Sequence, residues 1–307
     1  MVPNRISWLH LTPRQRQEAW TGLLFTLPWI ISLIVLTVYP IVDTFYLSFT
    51  NYSILEKPVW VGLANYADLF LQDPEVGRAV FNTVYYALLS VPIGLILSLG
   101  LASLLNLRTK GIGIYRTLFY LPSLVPPVAA TIIFLVLFEP KGGLINSFIR
   151  LFGFSPPLWF FDPAWSKPGL ILMSLWGIGY MTLIFLAGLQ DVPVSLLEAA
   201  EIDGANSWQR YWYVTLPLLS NVILFNLVMN VIWSFQVFTQ AMVIGGTNGT
   251  PMGSTLMVMV LIYRNAFRYF KMGYASALSF LLFIVIVIVT AIVFRLTQTW
   301  AYSESER

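Results

Sequence analysis

The sequence predicts an all-α membrane protein with six transmembrane helices. Of its 307 residues, 58% are hydrophobic, and the mean hydropathy is +0.76. Only 10% are charged, whereas soluble domains carry about 25% charged residues. This composition excludes a water-soluble enzyme and a disordered tail. Because cysteine is absent and His10 is the single histidine, disulfide frameworks and a histidine cluster for zinc are also excluded.

The six helices are predicted from stretches between charged residues, because about 20 apolar residues cross a bilayer and a charge at the centre is costly. These stretches place the spans at roughly 20–42, 79–106, 118–138, 168–190, 218–244 and 273–296. The interior of the spans contains no Asp, Glu, Lys, Arg or His.

A glycine-rich run ends the fifth span. Residues 245–251 read Gly-Gly-Thr-Asn-Gly-Thr-Pro, which cannot continue a helix exposed to lipid. The following stretch, Ser254 to Tyr263, is too short to cross a bilayer. It is therefore predicted to be an interfacial helix that lies on the membrane or reaches partway into it.

The basic residues near the helix ends predict the orientation. An even number of spans puts both termini on one side, and basic residues concentrate in cytoplasmic loops. Six lie in the N-terminal segment and second loop, and two in the first loop: Arg5, Arg14, Arg16, Arg108, Lys110 and Arg116, against Lys57 and Arg78. The expected organisation is a cytoplasmic segment 1–19, a membrane domain 20–297 and a cytoplasmic tail 298–307, although the count over all loops is nearly balanced.

The fourth connection, residues 191–217, has its own helical signals. Ser195 and Glu198 have the S-x-x-E spacing of a capping box, which predicts a two-turn helix from Leu196 to Asp203. Gly204 then occupies a position that favours positive φ at the end of a helix.

A second short helix is predicted after this glycine, over 208–214. Asn206 or Ser207 would cap it, and Pro217 fits the first turn of the next span. The small side chains of this connection allow another chain to approach closely. The alternative is an amphipathic helix hairpin that rests on lipid headgroups.

At this connection the chain resembles a known family. The run 198–209, Glu-Ala-Ala-Glu-Ile-Asp-Gly-Ala-Asn-Ser-Trp-Gln, followed by Leu216-Pro217, resembles the EAA loop of binding-protein-dependent ABC importers, and more closely that of the sugar permeases of the maltose type. The segments 46–50, 61–66, 115–122 and 143–146 agree with that family. The extra N-terminal spans and large periplasmic insertion of the maltose-type subunit are absent, so the chain looks like the shorter six-span form.

The resemblance implies a type I importer permease fold and a set of partners. These are a second homologous permease, two ABC ATPase subunits and an extracytoplasmic sugar-binding protein, assembled in a bacterial cytoplasmic (inner) membrane. It also implies that the ATPase docks on the EAA loop through Glu198, Ala199, Ala200, Asp203, Gly204 and Pro217.

The chain is predicted not to be an enzyme itself. It contains no G-x-x-x-x-G-K-[S/T] motif, so ATP and magnesium are expected on the separate ATPase subunits, and no cofactor or metal on this chain. An ion-coupled symporter or facilitator is the alternative from another class. Symporters usually keep an ionisable residue inside the membrane, and none is found here.

Uncharged polar residues mark a candidate substrate pathway. On the fifth span Asn226, Asn230 and Ser234 are spaced four apart and share one helix face, with Gln236 nearby. They could line a hydrated cavity or form hydrogen bonds between helices. On the fourth span, Trp176, Gly177 and Tyr180 offer an aromatic face and a hydroxyl for a sugar ring.

The resemblance carries some of these residues onto sugar-contacting positions. Gly177 and Tyr180 match the family in type, and Asn230 and Ser234 match with their types exchanged. Ser123, Met173 and Pro127 replace a Tyr, an Asn and a Ser. The candidate pathway is therefore Ser123, Trp176, Gly177, Tyr180, Asn230, Ser234 and Gln236. Because no cation faces it, a neutral saccharide or polyol is favoured over glycerol-3-phosphate.

Overall fold

Helices form most of the described chain, which in this computed structural model comprises residues 12–107 and 109–298. Arg5, His10, Arg108 and the tail from residue 299 lie outside the described residues, as does most of the predicted N-terminal segment. The α-helices are α1 (Pro13–Leu33), α2 (Tyr39–Leu47), α3 (Ala64–Leu71), α4 (Pro74–Leu105), α5 (Ile112–Tyr120), α6 (Pro127–Leu137), α7 (Leu144–Leu151), α8 (Pro163–Trp176), α9 (Gly179–Gln190), α10 (Val194–Ile202), α11 (Ser207–Arg210), α12 (Leu216–Leu218), α13 (Ser220–Phe235), α14 (Thr239–Gly245), α15 (Val258–Tyr263) and α16 (Met272–Gln298).

Shorter elements join these helices. The π-helical turns are Ile34–Val38, Tyr211–Thr215 and Arg264–Arg268, and the 3-10 turns are Leu121–Leu124, Trp159–Phe161 and Gly246–Asn248. Two short antiparallel strands, β1 (Thr50–Asn51) and β2 (Val59–Trp60), form a hairpin between the first two spans.

The helices agree with the predicted number of spans. Four are long and apolar enough to cross a membrane: Pro13–Leu47, Pro74–Leu105, Ser220–Asn248 and Met272–Thr297. They coincide with the first, second, fifth and sixth predicted spans. The α5–α6 and α8–α9 pairs coincide with the third and fourth, which gives six if each bent pair is one span. The chain is therefore a multi-pass membrane protein.

The third and fourth spans are not the single helices that the sequence predicted. The third bends by 99° and the fourth by 46°. In the third span Val125 (ψ 128°) and Pro126 (ψ 137°) are extended, because a proline lacks the N–H that a helix needs and keeps the preceding residue out of the helical region. In the fourth span α8 ends at Trp176 and Gly177 is its C-cap; glycine weakens a helix interior.

Helix α4 is the centre of the packing. It packs against α8, α9 and α13, and its buried face carries the small residues Ala79, Ala87, Ser90, Gly94, Ser98 and Ala102. Small side chains let helix backbones approach closely, which is the main source of helix association in lipid. At the C-terminal end of α4, Leu105 joins Leu189 of α9 and Leu219 in one apolar cluster.

The segment predicted as an interfacial helix lies inside the protein. Helix α15 begins at Val258, four residues later than expected, and Val260 and Leu261 are fully buried. It packs against α4 and α16. The prediction relied on length alone and missed that the side-chain amide of Asn82 can hold this segment inside the protein. Asn82 Nδ2 donates to the carbonyls of Gly253 (2.9 Å) and Leu256 (3.0 Å), which satisfies the irregular backbone within the protein.

A buried ion pair fixes the same region to the start of α4. The guanidinium of Arg264 donates to both carboxylate oxygens of Glu75, with Nη1 3.2 Å from Oε1. The Arg264 side chain is 4% exposed and that of Glu75 is 41% exposed. The pair therefore buries the cation much more deeply than the anion.

The first helix extends away from the rest of the chain. Helix α1 has no buried residue among those described, whereas α2 packs against α16. Leu24, Phe25 and Trp29 are at least 65% exposed. A large apolar helix face is thus available for lipid or for another protein.

Candidate functional site

A cavity of about 250 Å³ lies between α4, the α8–α9 pair, α13 and α14. Tyr86 on its wall follows the first residue of α4 by 12 positions, or about 18 Å along a helix. The cavity therefore lies well inside the membrane-spanning region. Its lining residues are Tyr86, Ser90, Gly94, Pro127, Ser174, Leu175, Ile178, Met181, Asn230, Trp233, Ser234, Gln236, Val237, Phe238, Thr239 and Gln240.

The chemistry of this cavity is polar and uncharged. Hydroxyl groups come from Tyr86, Ser90, Ser174, Ser234 and Thr239, and side-chain amides come from Asn230, Gln236 and Gln240. Trp233 and Phe238 add aromatic surface. No Asp, Glu, Lys, Arg or His is among the described residues that line it. Such a surface can exchange hydrogen bonds with a neutral, hydroxyl-rich molecule and offers no charge to pair with an anion.

Helical spacing and one helix break place these side chains. Asn230 and Ser234 are four residues apart on α13, so they share a face. Helix α13 ends at Phe235, and α14 begins at Thr239. The intervening break turns Gln236 toward the cavity and brings Thr239 and Gln240 to the same wall.

Several of the lining hydroxyls already donate to backbone carbonyls. Ser234 Oγ donates to Val231 O at 2.8 Å, and Ser174 Oγ donates to Ile171 O at 2.7 Å. Asn230 Nδ2 reaches Val91 O on α4 at 3.4 Å, a long hydrogen bond between helices. Asn230 therefore has both of the roles predicted for the polar residues of the fifth span, since it lines the cavity and also forms a hydrogen bond with another helix, α4. The acceptor sites of these hydroxyls and the Asn230 carbonyl oxygen are available for a ligand.

Three of the seven predicted pathway residues line this cavity: Asn230, Ser234 and Gln236. Trp176 and Tyr180 do not share one wall, because the helix breaks between them and the rule of residues four apart requires a continuous helix. Trp176 lies edge-on to Phe134 at 5.6 Å, whereas Tyr180 lies 5.8 Å from Trp233. Tyr180 is 48% exposed and contacts a lining residue, Trp233, without being part of the lining itself.

Ser123 and Gly177 also lie outside the lining. Ser123 Oγ donates to Tyr120 O at 2.7 Å within the 3-10 turn. A β-carbon on Gly179 would lie 3.3 Å from Ser123 Oγ and 2.7 Å from Phe119 O. The region of Ser123 is therefore packed against the start of α9. Gly177 is exposed at the bend of the fourth span.

The wall contributed by α4 was not predicted. Tyr86, Ser90 and Gly94 are four residues apart and line the cavity together. Their spacing is the same signal that identified the polar face of the fifth span, so the sequence contained it. Asn226, in contrast, is 1% exposed and does not line the cavity, and its Nδ2 has no hydrogen-bond partner in the described chain.

The predicted EAA loop, residues 191–217, is largely exposed and lies at the C-terminal end of α4. None of the described residues of helix α10 is buried, and Ile202 is 86% exposed. Tyr211 contacts Ser103 of α4 through their hydroxyl oxygens at 2.9 Å. The loop is therefore attached to the helix that lines the cavity while its outer surface stays free.

The capping box expected at Ser195 and Glu198 is wrong. Helix α10 begins at Val194, and its N-cap is Pro193 with no side-chain hydrogen bond. The proline leaves an extended residue (ψ 123°) directly before the helix, so the helix begins one residue before Ser195 rather than after it.

The turn and the second helix agree with the prediction. Gly204 has φ +85° and a side chain there would meet no atom within 4 Å. Asn206 caps α11 in a reciprocal capping box with Gln209. The helix then continues through the π-turn to α12, which contains Pro217 in its first turn. Arg210 forms an ion pair with Glu201 across the hairpin.

Comparison with known proteins gives one family. Residues 90–302 match the family described as the inner membrane component of binding-protein-dependent transport systems. A probable ABC transporter permease protein of Bacillus subtilis, YesP, is 39% identical over 95% of this chain and 94% of its own. The arabinooligosaccharides transport system permease protein AraP of Bacillus subtilis is 33% identical over 98% of this chain and 99% of its own.

A solved structure shares the fold. The structure of a bacterial alginate ABC transporter, in complex with a periplasmic protein bound to alginate pentasaccharide, contains a chain with a TM-score of 0.82 and 22% identity. The match covers 93% of this chain and 96% of that one. This similarity shows the importer permease fold and no substrate.

Proposed function

The chain belongs to the family of inner membrane components of binding-protein-dependent transport systems, and we propose that it is the permease subunit of an ATP-driven carbohydrate importer. It supplies half of the path that the substrate follows through the membrane. The observation that carries the substrate class is the cavity beside α4, whose hydroxyl and amide groups include no charge.

A neutral saccharide fits this cavity better than glycerol-3-phosphate does. A phosphate group taken into a site without a cation would lose its hydration with no charge-assisted hydrogen bond in return. A sugar hydroxyl exchanges water for the hydroxyls of Ser234 and Thr239 and the amide of Asn230 at little cost. The relatives include the permease of an arabinooligosaccharide transport system and that of an sn-glycerol-3-phosphate transport system, which are 33% and 35% identical to this chain, so the choice between the two classes rests on the cavity.

The ATPase subunits dock on the EAA loop. The exposed residues Glu198, Ala199, Asp203 and Gly204 and the half-buried Ala200 form its outer surface. Since Tyr211 contacts α4, a displacement of the loop moves a helix that lines the cavity. ATP and magnesium bind to those partners, and the cavity opens alternately to each side.

A second, homologous permease subunit completes the pathway. The cavity in this chain is not fully enclosed, and the uncovered apolar face of α1 offers a surface for that subunit within the bilayer. A sugar-binding protein delivers substrate at the opposite end of the helices from the EAA loop. The assembly lies in a bacterial cytoplasmic membrane, with both termini and the EAA loop in the cytoplasm.

A panel of labelled solutes tests the substrate class. The assembled complex, in proteoliposomes loaded with ATP and supplied with its binding protein, is offered maltose, lactose, arabinotriose and glycerol-3-phosphate. We expect uptake of at least one neutral sugar at ten times or more the rate of glycerol-3-phosphate. The control is the same complex with ADP in place of ATP, which should give background uptake. Preferential uptake of glycerol-3-phosphate would contradict the proposal.

A further inference from the structure

We propose that Tyr86, Ser90 and Gly94 on α4 form a recognition wall for the hydroxyl groups of a single neutral sugar ring. This inference rests on the proposed function, and it adds a part of the site that neither the sequence pattern of the fifth span nor the resemblance identifies. Tyr86 and Ser90 are 7% and 6% exposed, respectively, and both line the cavity.

The hydroxyl of Ser90 is incompletely hydrogen-bonded within the described chain. Ser98, two turns further along the same helix, donates to Leu95 O at 3.0 Å, and Ser103 donates to Leu99 O at 2.8 Å. Ser90 Oγ is buried beside the Tyr86 hydroxyl but completes no hydrogen bond of normal geometry. Because a buried hydroxyl with incomplete hydrogen bonds is costly, the neighbouring hydroxyls of Tyr86 and Ser90 on a cavity wall point to a ligand that supplies a further partner.

Gly94 brings the Asn230 amide next to this wall. A β-carbon at position 94 would lie 3.4 Å from both Asn230 Nδ2 and Met181 Cε. A larger side chain would therefore push Asn230 away from α4. The glycine lets α13 approach α4 closely, so that the Asn230 amide and the hydroxyls of α4 lie on adjoining walls of the cavity.

The size and the aromatic surface favour one ring at a time. Binding pockets for small molecules usually enclose about 300–1,000 Å³, and this cavity of about 250 Å³ lies just below that range. Trp233, which is 46% exposed, offers a flat apolar face next to the amides. A sugar ring presents an apolar face and a rim of hydroxyls, so it can contact Trp233 and the α4 wall together.

Cysteine labelling tests this wall, because the natural chain contains no cysteine. Ser90→Cys is introduced, and the assembled complex is treated with a small neutral methanethiosulfonate. Labelling is read on this chain after it is separated from its partners. We expect Ser90→Cys to react, and maltose, lactose or arabinotriose to slow the reaction at least about 5-fold, whereas glycerol-3-phosphate does not.

Matched variants separate recognition from general structure. Ser155→Cys, in an exposed loop, should react at one rate with or without sugar. Ser98→Cys, buried and off the cavity, should react slowly under both conditions. Tyr86→Phe added to Ser90→Cys should raise the sugar concentration for half protection about 3- to 10-fold, the effect of one hydrogen bond to an uncharged ligand. Tyr85→Phe, the neighbouring position outside the lining, should leave it unchanged.

Two results would overturn the recognition wall: no reaction at Ser90→Cys, or an equal rate with every sugar of the panel. If that variant fails to assemble, Tyr86→Phe alone is compared with Tyr85→Phe for the sugar concentration that half-maximally stimulates ATP hydrolysis. An equal value for the two variants also rejects the wall. These failures differ from failure of the proposed function, which would abolish neutral-sugar uptake by the unmodified complex.

Discussion

Gly204→Asp is expected to remove the ATPase from the complex and abolish transport while the chain stays folded in the membrane. Gly204 has φ +85°, a conformation that costs residues with a β-carbon about 1 kcal/mol or more. The new carboxylate also lies next to Asp203 on the exposed surface of the EAA loop. The measurement is the amount of ATPase that co-purifies with the tagged permease, together with ATP-dependent sugar uptake.

Gly153→Asp is the matched control for this loss. Gly153 has φ +79° and open space around it, like Gly204, but it follows α7 and lies far from the EAA loop along the chain. The control carries the same strain and the same added charge, so it should retain the ATPase and most of the uptake. If Gly204→Asp also retained both, docking through this loop would be rejected.

Glu75→Gln is expected to destabilise the protein more than Arg264→Met, although each removes one member of the same ion pair. The Arg264 side chain is 4% exposed, and removing its partner leaves a buried cation unpaired. Breaking a fully buried ion pair in this way costs about 3–5 kcal/mol, and we expect a smaller loss here because water reaches Glu75. Arg264→Met leaves the 41% exposed Glu75 in contact with water, so its cost is smaller. The measurement is the thermal midpoint of the complex in detergent.

The double variant and an exposed pair complete this test. Combining Glu75→Gln with Arg264→Met should raise the midpoint above that of Glu75→Gln alone, because no buried charge remains. Glu18→Gln breaks the exposed pair with Arg14, which is worth about 0–1 kcal/mol, and should have little effect. Equal midpoints for the two single variants at position 75 and position 264 would contradict the asymmetric burial.

Local signals in the sequence predicted the features that depend on neighbouring residues. The charge-free stretches gave six spans, and the Gly204 turn and the Asn206 cap follow from chemistry within a few residues. The bends were not predicted, since Pro126 was counted only as an apolar position within its stretch and Gly177 was considered only as a residue of the substrate pathway. The prolines and the glycine carried the signal in both cases.

Tertiary contacts decided the remaining differences. The segment from Ser254 was too short to span, and side chains distant in the sequence, the Asn82 amide and the Thr83 hydroxyl, explain how its backbone is buried. To predict the cavity, two helix faces have to be recognised together. Asn230 and Ser234 marked one face, but their role needed Tyr86 and Ser90 opposite them, and the packing of α4 against α13 that joins the two faces is set by side chains far apart in the sequence.

Accumulation of a neutral sugar against its gradient tests most directly the claim that this chain converts ATP hydrolysis on a partner into transport. Proteoliposomes contain either the assembled complex or this chain alone, and labelled maltose, lactose or arabinotriose is measured inside and outside. We expect concentration above the external level for at least one sugar, only with the complex and only with ATP on the side of the EAA loop. Robust sugar exchange by the chain alone, without ATP, would contradict it and indicate a facilitator.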